Sequence, residues 1–148
     1  MGHGLTFDVS REKQSLDILL SSTMECIDMV DDMVKKFMEG HGLMQHAFAV
    51  RVVMREGLTN SVRHGHDLDS EKLIHFNLTI NDEKLIMVIE DQGHGFDWRK
   101  VRASSSRQQG EGSLRDHGRG FLIMDDYFDS WAYNEKGNIL TLEKNISS

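Results

Sequence analysis

Apolar and polar residues alternate along residues 74–80, where isoleucine, phenylalanine and leucine are separated by histidine, asparagine and threonine. Successive side chains of a β-strand point to opposite faces, so this alternation is typical of a strand with one buried face. The polar residues 81–83 are suited to a turn and lead into a second strand-like run at residues 84–90. The pattern therefore predicts an antiparallel β-hairpin.

Two further strand signals lie near the ends of the chain. Residues 5–9 alternate enough for a short first strand. Residues 131–133 and 139–142 are suited to a last hairpin around the turn Asn134-Glu-Lys-Gly137.

A spacing of three and four residues between apolar positions predicts helices elsewhere. The first is expected over residues 11–39, with Ser10 as its N-cap and the glycines of residues 40–42 ending it. Its apolar stripe consists of Leu16, Leu19, Leu20, Met24, Ile27, Val30, Val34 and Phe37.

A second helix is expected over residues 43–64, ended by Gly65, and a third over residues 121–128. The core-facing residues of the second helix are predicted to be Met44, Ala47, Phe48, Val52, Leu58 and Val62. Gly57 in its interior costs about 1 kcal/mol relative to alanine, so we expect another element to pack closely there.

Composition narrows the class of protein. A chain of 148 residues without a linker or repeat is expected to form one domain, and Cys26, its only cysteine, is expected in the core. The net charge of −7 argues against a general nucleic-acid binder. No apolar run approaches the roughly 20 residues that span a bilayer, so we expect a cytoplasmic protein without a membrane partner.

The second predicted helix carries Glu56 and Asn60, four residues apart and therefore on one face. An amide oxygen is a hard ligand suited to Mg²⁺, and a carboxylate can orient or deprotonate an attacking hydroxyl. An exposed polar face with no chemical role would show the same spacing. The pair indicates a functional site only together with the motifs that accompany it.

Two glycine motifs follow the helix. Asp91 falls at the end of a predicted strand, and Gly93 and Gly95 behind it let a flat ligand approach the backbone. Gly118 and Gly120 open the third helix, an arrangement that offers amide donors to a phosphate. Taken singly, the first motif is also compatible with a simple turn and the second with an ordinary helix start.

A basic segment lies between these motifs. Residues 98–119 hold six lysines and arginines but only two acidic residues, in a chain that is acidic overall. The segment supplies the positive charge that an anionic ligand requires, and Arg107 and Arg115 are candidate contacts. A solvated polar loop is the alternative interpretation.

Four histidines also lie near the motifs, namely His64, His66, His94 and His117. Zinc would need converging ligands at fixed geometry, and the glycine-flanked positions do not favour it. We expect His64 to support the helix end and the others to be solvated or to contact a ligand.

The order of the three motifs resembles the N, G1 and G2 boxes of the GHKL ATPase superfamily. Residues 56–65, 91–97 and 117–124 resemble in particular the anti-sigma-factor serine/threonine kinases of bacterial partner switching, over essentially the whole chain. The resemblance implies an α+β fold, a two-layer α/β sandwich called the Bergerat fold. Its mixed, mostly antiparallel sheet is covered on one face by helices, and ATP lies between the helices and a lid.

The resemblance also implies a role for each matching residue. Asn60 would hold Mg²⁺, Glu56 would be the general base, and Asp91 would meet the amino group of adenine. The residues expected to shape the adenine pocket are Gly93 and Gly95, and those expected to border the phosphates are Gly118 and Gly120. Arg107 and Arg115 are assigned to the lid by charge alone.

The implied function is an ATP-dependent kinase that phosphorylates an antagonist protein and sequesters a sigma factor or similar regulator, as a homodimer. Phe121 stands where leucine is common and the first glycine box lacks its frequent proline, departures that bear on the choice of partner. A nucleotide-binding adaptor without catalysis and the detached ATPase module of a sensor histidine kinase are the alternatives. The second alternative needs a histidine on a helical hairpin, and residues 11–39 contain none.

Overall fold

The computed structural model of the chain describes residues 5–10, 14–65, 69–95, 97–99 and 118–147. Within these residues, six strands form one sheet in the order β1-β2-β3-β4-β6-β5, and every neighbouring pair is antiparallel. The strands are β1 (Leu5–Ser10), β2 (Ser15–Ser21), β3 (Leu73–Asn81), β4 (Lys84–Asp91), β5 (Ser130–Tyr133) and β6 (Ile139–Asn145).

Helices pack on one face of this sheet. They are α1 (Met24–Gly40), α2 (Met44–Asn60) and α3 (Gly118–Tyr127), and α2 continues into a π-helical turn at Ser61–Gly65. The expected two-layer α+β sandwich is confirmed.

The alternation along β3 determines which face is covered. Ile74, Phe76 and Leu78 are fully buried beneath the helices, whereas His75 on the opposite face is exposed. On that open face Asp17 Oδ1 lies 2.7 Å from His75 Nε2 and accepts a hydrogen bond of 2.9 Å from Asn77 Nδ2. The described core therefore lies between the sheet and the helices.

The first predicted helix is partly wrong. Residues 15–21 form β2, and α1 begins at Met24 with Thr23 as its N-cap, whose Oγ1 accepts from Cys26 N at 3.1 Å. In β2 every second residue is buried, so Leu16, Ile18 and Leu20 reach the core through strand periodicity. Ser10, the predicted N-cap, is the last residue of β1.

The helical part of the predicted stripe is largely confirmed. Ile27, Val30, Val34 and Phe37 are buried on α1, and α1 ends at Gly40 as expected. Met24, in contrast, is exposed at the first turn. Cys26 is buried and forms no disulfide, as predicted.

The second predicted helix corresponds to α2 with its π-helical turn. Ala47, Leu58 and Val62 are buried as expected. Met44 and Phe48 were predicted to face the core, but their exposed fractions are 44% and 66%.

At Gly57, α2 packs closely against the sheet. A Cβ at Gly57 would be 2.6 Å from Ile89 Cδ1 on β4 and 3.2 Å from Leu140 Cδ2 on β6. The close packing predicted for this glycine is confirmed, and it draws the C-terminal half of α2 towards the end of β4.

Ion pairs fix α2 against α1. Arg51 Nε donates to Asp31 Oδ1 at 2.6 Å, and Arg55 bridges Asp31 and Asp28 at 3.0 and 2.8 Å. The hydrogen bond to Asp28 is the main cause that raises the pKa of Arg55. The network holds the helix turn that precedes Glu56.

Leu19, predicted on the core stripe, is 41% exposed, whereas four other local predictions are confirmed. The hairpin of β3 and β4, the hairpin of β5 and β6, the short β1 and the helix α3 all form close to the expected bounds. In the part of the chain that the structure describes, no helix has the length and apolar character to cross a membrane.

Candidate functional site

Glu56 and Asn60 project from one face of α2 towards the first turn of α3. A Cβ at Gly120 would lie 3.1 Å from Glu56 Oε2 and 3.6 Å from Asn60 Nδ2. The two polar side chains therefore converge on one small region, which stays open because residue 120 has no side chain. Two of the three sequence motifs meet at this point.

Asn60 is almost fully buried, with an exposed fraction of 5%. Its Nδ2 has no hydrogen-bond partner among the described residues. A buried amide group without a partner costs about 1–3 kcal/mol, so such a group is suited to a ligand that completes it. The helix widens into its π-helical turn directly after this residue, a feature often found at functional sites.

The region can accept a magnesium ion in chemical terms. Rotation of the Asn60 amide by 180° would present its oxygen in place of Nδ2, and the Glu56 carboxylate lies beside it. Amide and carboxylate oxygens are the hard ligands that Mg²⁺ prefers, together with waters and phosphates. The residues present therefore fit a magnesium–phosphate group.

Tyr133, at the end of β5, connects Asn60 with Asp91. Burial raises the pKa of the Tyr133 hydroxyl above its ordinary value, the nearby amide of Asn60 opposes this change, and the negative charge of Asp91 adds to it. The Tyr133 hydroxyl thus interacts with both side chains. The hydroxyl therefore lies near both the end of α2 and the end of β4.

Asp91 is the last residue of β4 and is buried, with an exposed fraction of 6%. Its Oδ1 accepts a hydrogen bond of 2.8 Å from Gly93 N, which folds the following loop back over the carboxylate. A carboxylate held in this way can accept a hydrogen bond from an amino group of a ligand.

Gly95 follows in the left-handed region, with φ of +83°. A Cβ at this position would overlap the backbone oxygen of Lys136, in the turn between β5 and β6. Only glycine can occupy position 95 here. The loop after Asp91 is therefore pressed against the β5–β6 turn.

The same turn holds the backbone of Asp91. Asp91 N donates to Asn138 O at 2.9 Å, and Asn138 Nδ2 donates to Asp91 O at 3.2 Å. Asn138 thus holds both the N–H and the C=O of the residue that carries the carboxylate.

An aromatic cluster borders the site. The ring of Phe121 on α3 stacks on that of Trp131, with 4.9 Å between the ring centroids. The ring centroids of Trp98 and Tyr133 are 5.9 Å apart. Because these rings come from three separate segments, their packing holds the segments together.

Several predicted site residues are not placed by this geometry. Arg107 and Arg115 lie outside the described residues, as do His66, His117 and nearly all of the expected lid. Gly118 is the first residue of α3, as the motif predicts, and His94 is exposed. The described residues contain no group of three or more His, Cys, Asp or Glu side chains that could hold a metal ion.

Three residues of the site, Tyr133, Asn134 and Asn138, are not among those predicted from the sequence. Tyr133 was interpreted only as part of a strand, and Asn134 only as part of a turn. Tyr133 interacts with Asn60 and Asp91, and Asn138 pairs with the backbone of Asp91, so both join residues far apart in the chain, while Asn134 holds Asn138 in place. The one local signal was the density of polar residues at positions 134–138, which are more numerous than a tight hairpin turn requires.

Comparison with known proteins agrees with this geometry. A family model for the histidine kinase-like ATPase domain matches residues 20–144, most of the chain. The chain is 28% identical over 108 residues to the anti-sigma F factor of Bacillus subtilis, covering 70% of this chain and 73% of that protein. It is 22% identical over 102 residues to the anti-sigma F factor of Clostridium perfringens, covering 67% and 72%.

The match extends from the end of β2 to β6 and so includes Glu56, Asn60, Asp91 and Gly120. The resemblance drawn from the order of the three boxes is thereby confirmed. The chain belongs to the family of histidine kinase-like ATPase domains.

Proposed function

We propose that this chain binds Mg-ATP and transfers the γ-phosphate to a serine or threonine hydroxyl of an antagonist protein. The observation that carries the proposal is the convergence of Glu56 and Asn60 on Gly120, with Tyr133 linking Asn60 to Asp91. A helix face, a strand end and a glycine-rich helix start thus supply the three parts that a nucleotide requires.

Each residue has a role in this proposal. Asn60 holds Mg²⁺, which when bound neutralises negative charge on the phosphates. Glu56 accepts the proton of the attacking hydroxyl, and Asp91 accepts a hydrogen bond from the adenine amino group. Gly93 and Gly95 shape the pocket of the base, since Gly93 N holds the Asp91 carboxylate and Gly95 lets the loop pack against Lys136. Gly118 and Gly120 leave room for the phosphates.

Charge is the remaining requirement of phosphoryl transfer, which depends mainly on positioning and on stabilising negative charge. The basic segment of residues 98–119 contains the arginines suited to this task, and we assign Arg107 and Arg115 to it.

The relatives named anti-sigma F factors point to the biological setting. We propose that this chain likewise captures a sigma factor or similar regulator in the cytoplasm and releases it through the antagonist. We also propose that it works as a homodimer, which sedimentation equilibrium of the purified chain would test directly.

The decisive experiment is transfer of labelled γ-phosphate from ATP to a cognate antagonist. Glu56→Gln keeps the shape of the side chain but cannot accept the proton, so transfer should fall about 10²–10⁴-fold while Mg-ADP still binds. Glu83→Gln, at the exposed turn between β3 and β4, is the matched control and should behave as the unmodified chain.

Two results would contradict the proposal. Full transfer by Glu56→Gln would show that Glu56 is not the general base. Tight ATP binding with no transfer to any candidate antagonist would indicate a nucleotide-binding adaptor.

A further inference from the structure

The turn between β5 and β6, residues 134–138, is organised by the side chain of Asn134. Its Oδ1 accepts hydrogen bonds from the backbone N–H groups of Gly137, Asn138 and Ile139 at 2.9, 2.9 and 3.0 Å. Its Nδ2 donates to Asn138 Oδ1 at 2.8 Å. A single amide thus gives a five-residue turn one defined shape.

This shape is not needed to close the hairpin. The neighbouring β3–β4 hairpin closes over only two residues, Asp82 and Glu83, with Asp82 at φ of +55°. The longer β5–β6 turn extends beyond its own two strands and contacts the segment that begins at Asp91.

Three contacts join the turn to that segment. Asn138 pairs with the backbone of Asp91 on both its N–H and its C=O. The carbonyl of Lys136 occupies the space beside Gly95 where a Cβ would lie. The carbonyl of Asn134 accepts a hydrogen bond of 3.3 Å from Trp98 Nε1.

The orientation of the Asp91 carboxylate depends on this arrangement. Its Oδ1 is already directed towards Gly93 N at 2.8 Å, so a shift of the Asp91 backbone or of the loop would turn the carboxylate. A hydrogen bond weakens steeply as its angle departs from linear. A small rotation would therefore weaken an interaction with the amino group of a base.

We infer that Asn134 and Asn138 are positioning residues that set the selectivity of the site for a base with a 6-amino group. Asn138 fixes the backbone of Asp91, and Asn134 fixes Asn138 and the turn that presses on Gly95. The inference rests on the proposed function, in which Asp91 meets the adenine amino group.

Calorimetry with Mg-ADP and Mg-IDP tests the inference, because inosine carries an oxygen where adenine carries the 6-amino group. We expect the unmodified chain to prefer ADP. Asn134→Leu and Asn138→Ala should lower the affinity for ADP about tenfold, the scale of one hydrogen bond to a charged group, and should change the affinity for IDP much less. The ratio of the two affinities should therefore collapse towards one.

Two further variants separate positioning from general loss of structure. Asn134→Asp keeps an oxygen that can accept from the same three N–H groups but loses the donor to Asn138 Oδ1, so its preference for ADP should lie between those of the unmodified chain and Asn134→Leu. Asn145→Leu makes the same type of change at the other end of β6, where Asn145 Oδ1 accepts from Ser147 N at 2.8 Å, and should leave both affinities unchanged. If Asn134→Leu does not fold, Asn138→Ala carries the test.

The outcomes distinguish this inference from the proposed function. Failure of the unmodified chain to bind either nucleotide overturns both. A preference for ADP that survives in Asn138→Ala overturns the positioning role and leaves the proposed function intact. Equal loss of ADP and IDP affinity also overturns it, because that result assigns the turn a structural role without selectivity.

Discussion

Gly120 lies directly against the carboxylate of Glu56, so that a Cβ at residue 120 would stand 3.1 Å from Glu56 Oε2 and 3.9 Å from Glu56 Cβ. Contacts as short as 3.1 Å are tighter than a Cβ tolerates without movement of its neighbour. The second glycine of the helix start therefore protects the position of a side chain on another helix. This relationship gives the glycine a role beyond leaving room for phosphates.

Gly120→Ala should displace the Glu56 carboxylate and reduce phosphoryl transfer about 10–100-fold, because small misplacements of reacting groups carry large rate costs. The mutation places alanine inside a helix, so the free energy of unfolding should change little. Transfer assays and urea unfolding of the same preparation check both parts.

Gly40→Ala is the matched control for Gly120→Ala. Gly40 ends α1, and a Cβ there meets nothing within 4 Å. This variant should keep full transfer and gain up to about 1 kcal/mol of stability. Undiminished transfer by Gly120→Ala would show that the Glu56 carboxylate is not held by this contact.

Gly95→Ala should destabilise the protein more than Gly42→Ala does. Both glycines have positive φ, +83° and +69°, so both variants bear the strain of a left-handed alanine, on the order of 1 kcal/mol. Only Gly95 also meets a backbone oxygen, that of Lys136, whereas a Cβ at Gly42 meets nothing within 4 Å. The difference in free energy of unfolding between the two variants measures the contact of the loop with the β5–β6 turn.

Urea unfolding of both variants is the measurement. We expect Gly95→Ala to cost at least about 2 kcal/mol more than Gly42→Ala, because backbone atoms cannot move aside as a side-chain end can. Equal costs would mean that the loop and the turn separate readily.

The residues of the candidate site were predictable because their signals are local. Glu56 and Asn60 share a helix face by their spacing alone, and Asp91 follows a run of strand residues. Their arrangement in space came from the resemblance to a family and not from periodicity. Asn138 and Tyr133 escaped prediction because their partners, Asp91 and Asn60, are distant in the chain.

The error over residues 15–21 has a similar physical cause. Leu16, Leu19 and Leu20 fit the three- and four-residue spacing of a helix, whereas Leu16, Ile18 and Leu20 fit the two-residue spacing of a strand. Strand pairing decides between them, since β2 lies between β1 and β3 and hydrogen-bonds to both. That pairing is a long-range interaction that local periodicity does not contain.

The double variant Gly57→Ala/Ile89→Val should be more stable than the sum of the two single effects on the free energy of unfolding predicts. The new methyl group would lie 2.6 Å from Ile89 Cδ1, the atom that Ile89→Val removes. Overpacking costs about 1–3 kcal/mol, while alanine gains about 1 kcal/mol over glycine in a helix. The double variant should keep most of the gain, because it removes the shorter clash and leaves only the contact of 3.2 Å with Leu140 Cδ2.

A double-mutant cycle by urea unfolding measures this coupling, and we expect an interaction free energy of about 1 kcal/mol in favour of the pair. Ile86→Val, on the same strand but outside the contact, is the matched control partner for Gly57→Ala. Additive free energies in the cycle with Ile89→Val would contradict the close approach of α2 to β4.

Tyr133→Phe should make the protein less sensitive to alkaline pH. Burial raises the pKa of the Tyr133 hydroxyl in the folded state, whereas an unfolded chain has the ordinary value of about 10. Below this pH the hydroxyl is protonated in both states and stability does not depend on its ionisation. As the pH rises above it, the unfolded chain ionises first, so the free energy of unfolding falls by up to about 1.4 kcal/mol per pH unit.

Urea unfolding between pH 9 and about 11 measures that slope. The variant lacks the ionising group, so its free energy of unfolding should fall less steeply with pH. The difference in slope should be at most about 1.4 kcal/mol per pH unit, the contribution of one proton. Tyr127→Phe removes the other tyrosine hydroxyl of the chain and leaves Tyr133 in place, which makes it the matched control. A slope that flattens equally in both variants would contradict the burial of Tyr133 between Asn60 and Asp91, because the effect would then not belong to the site.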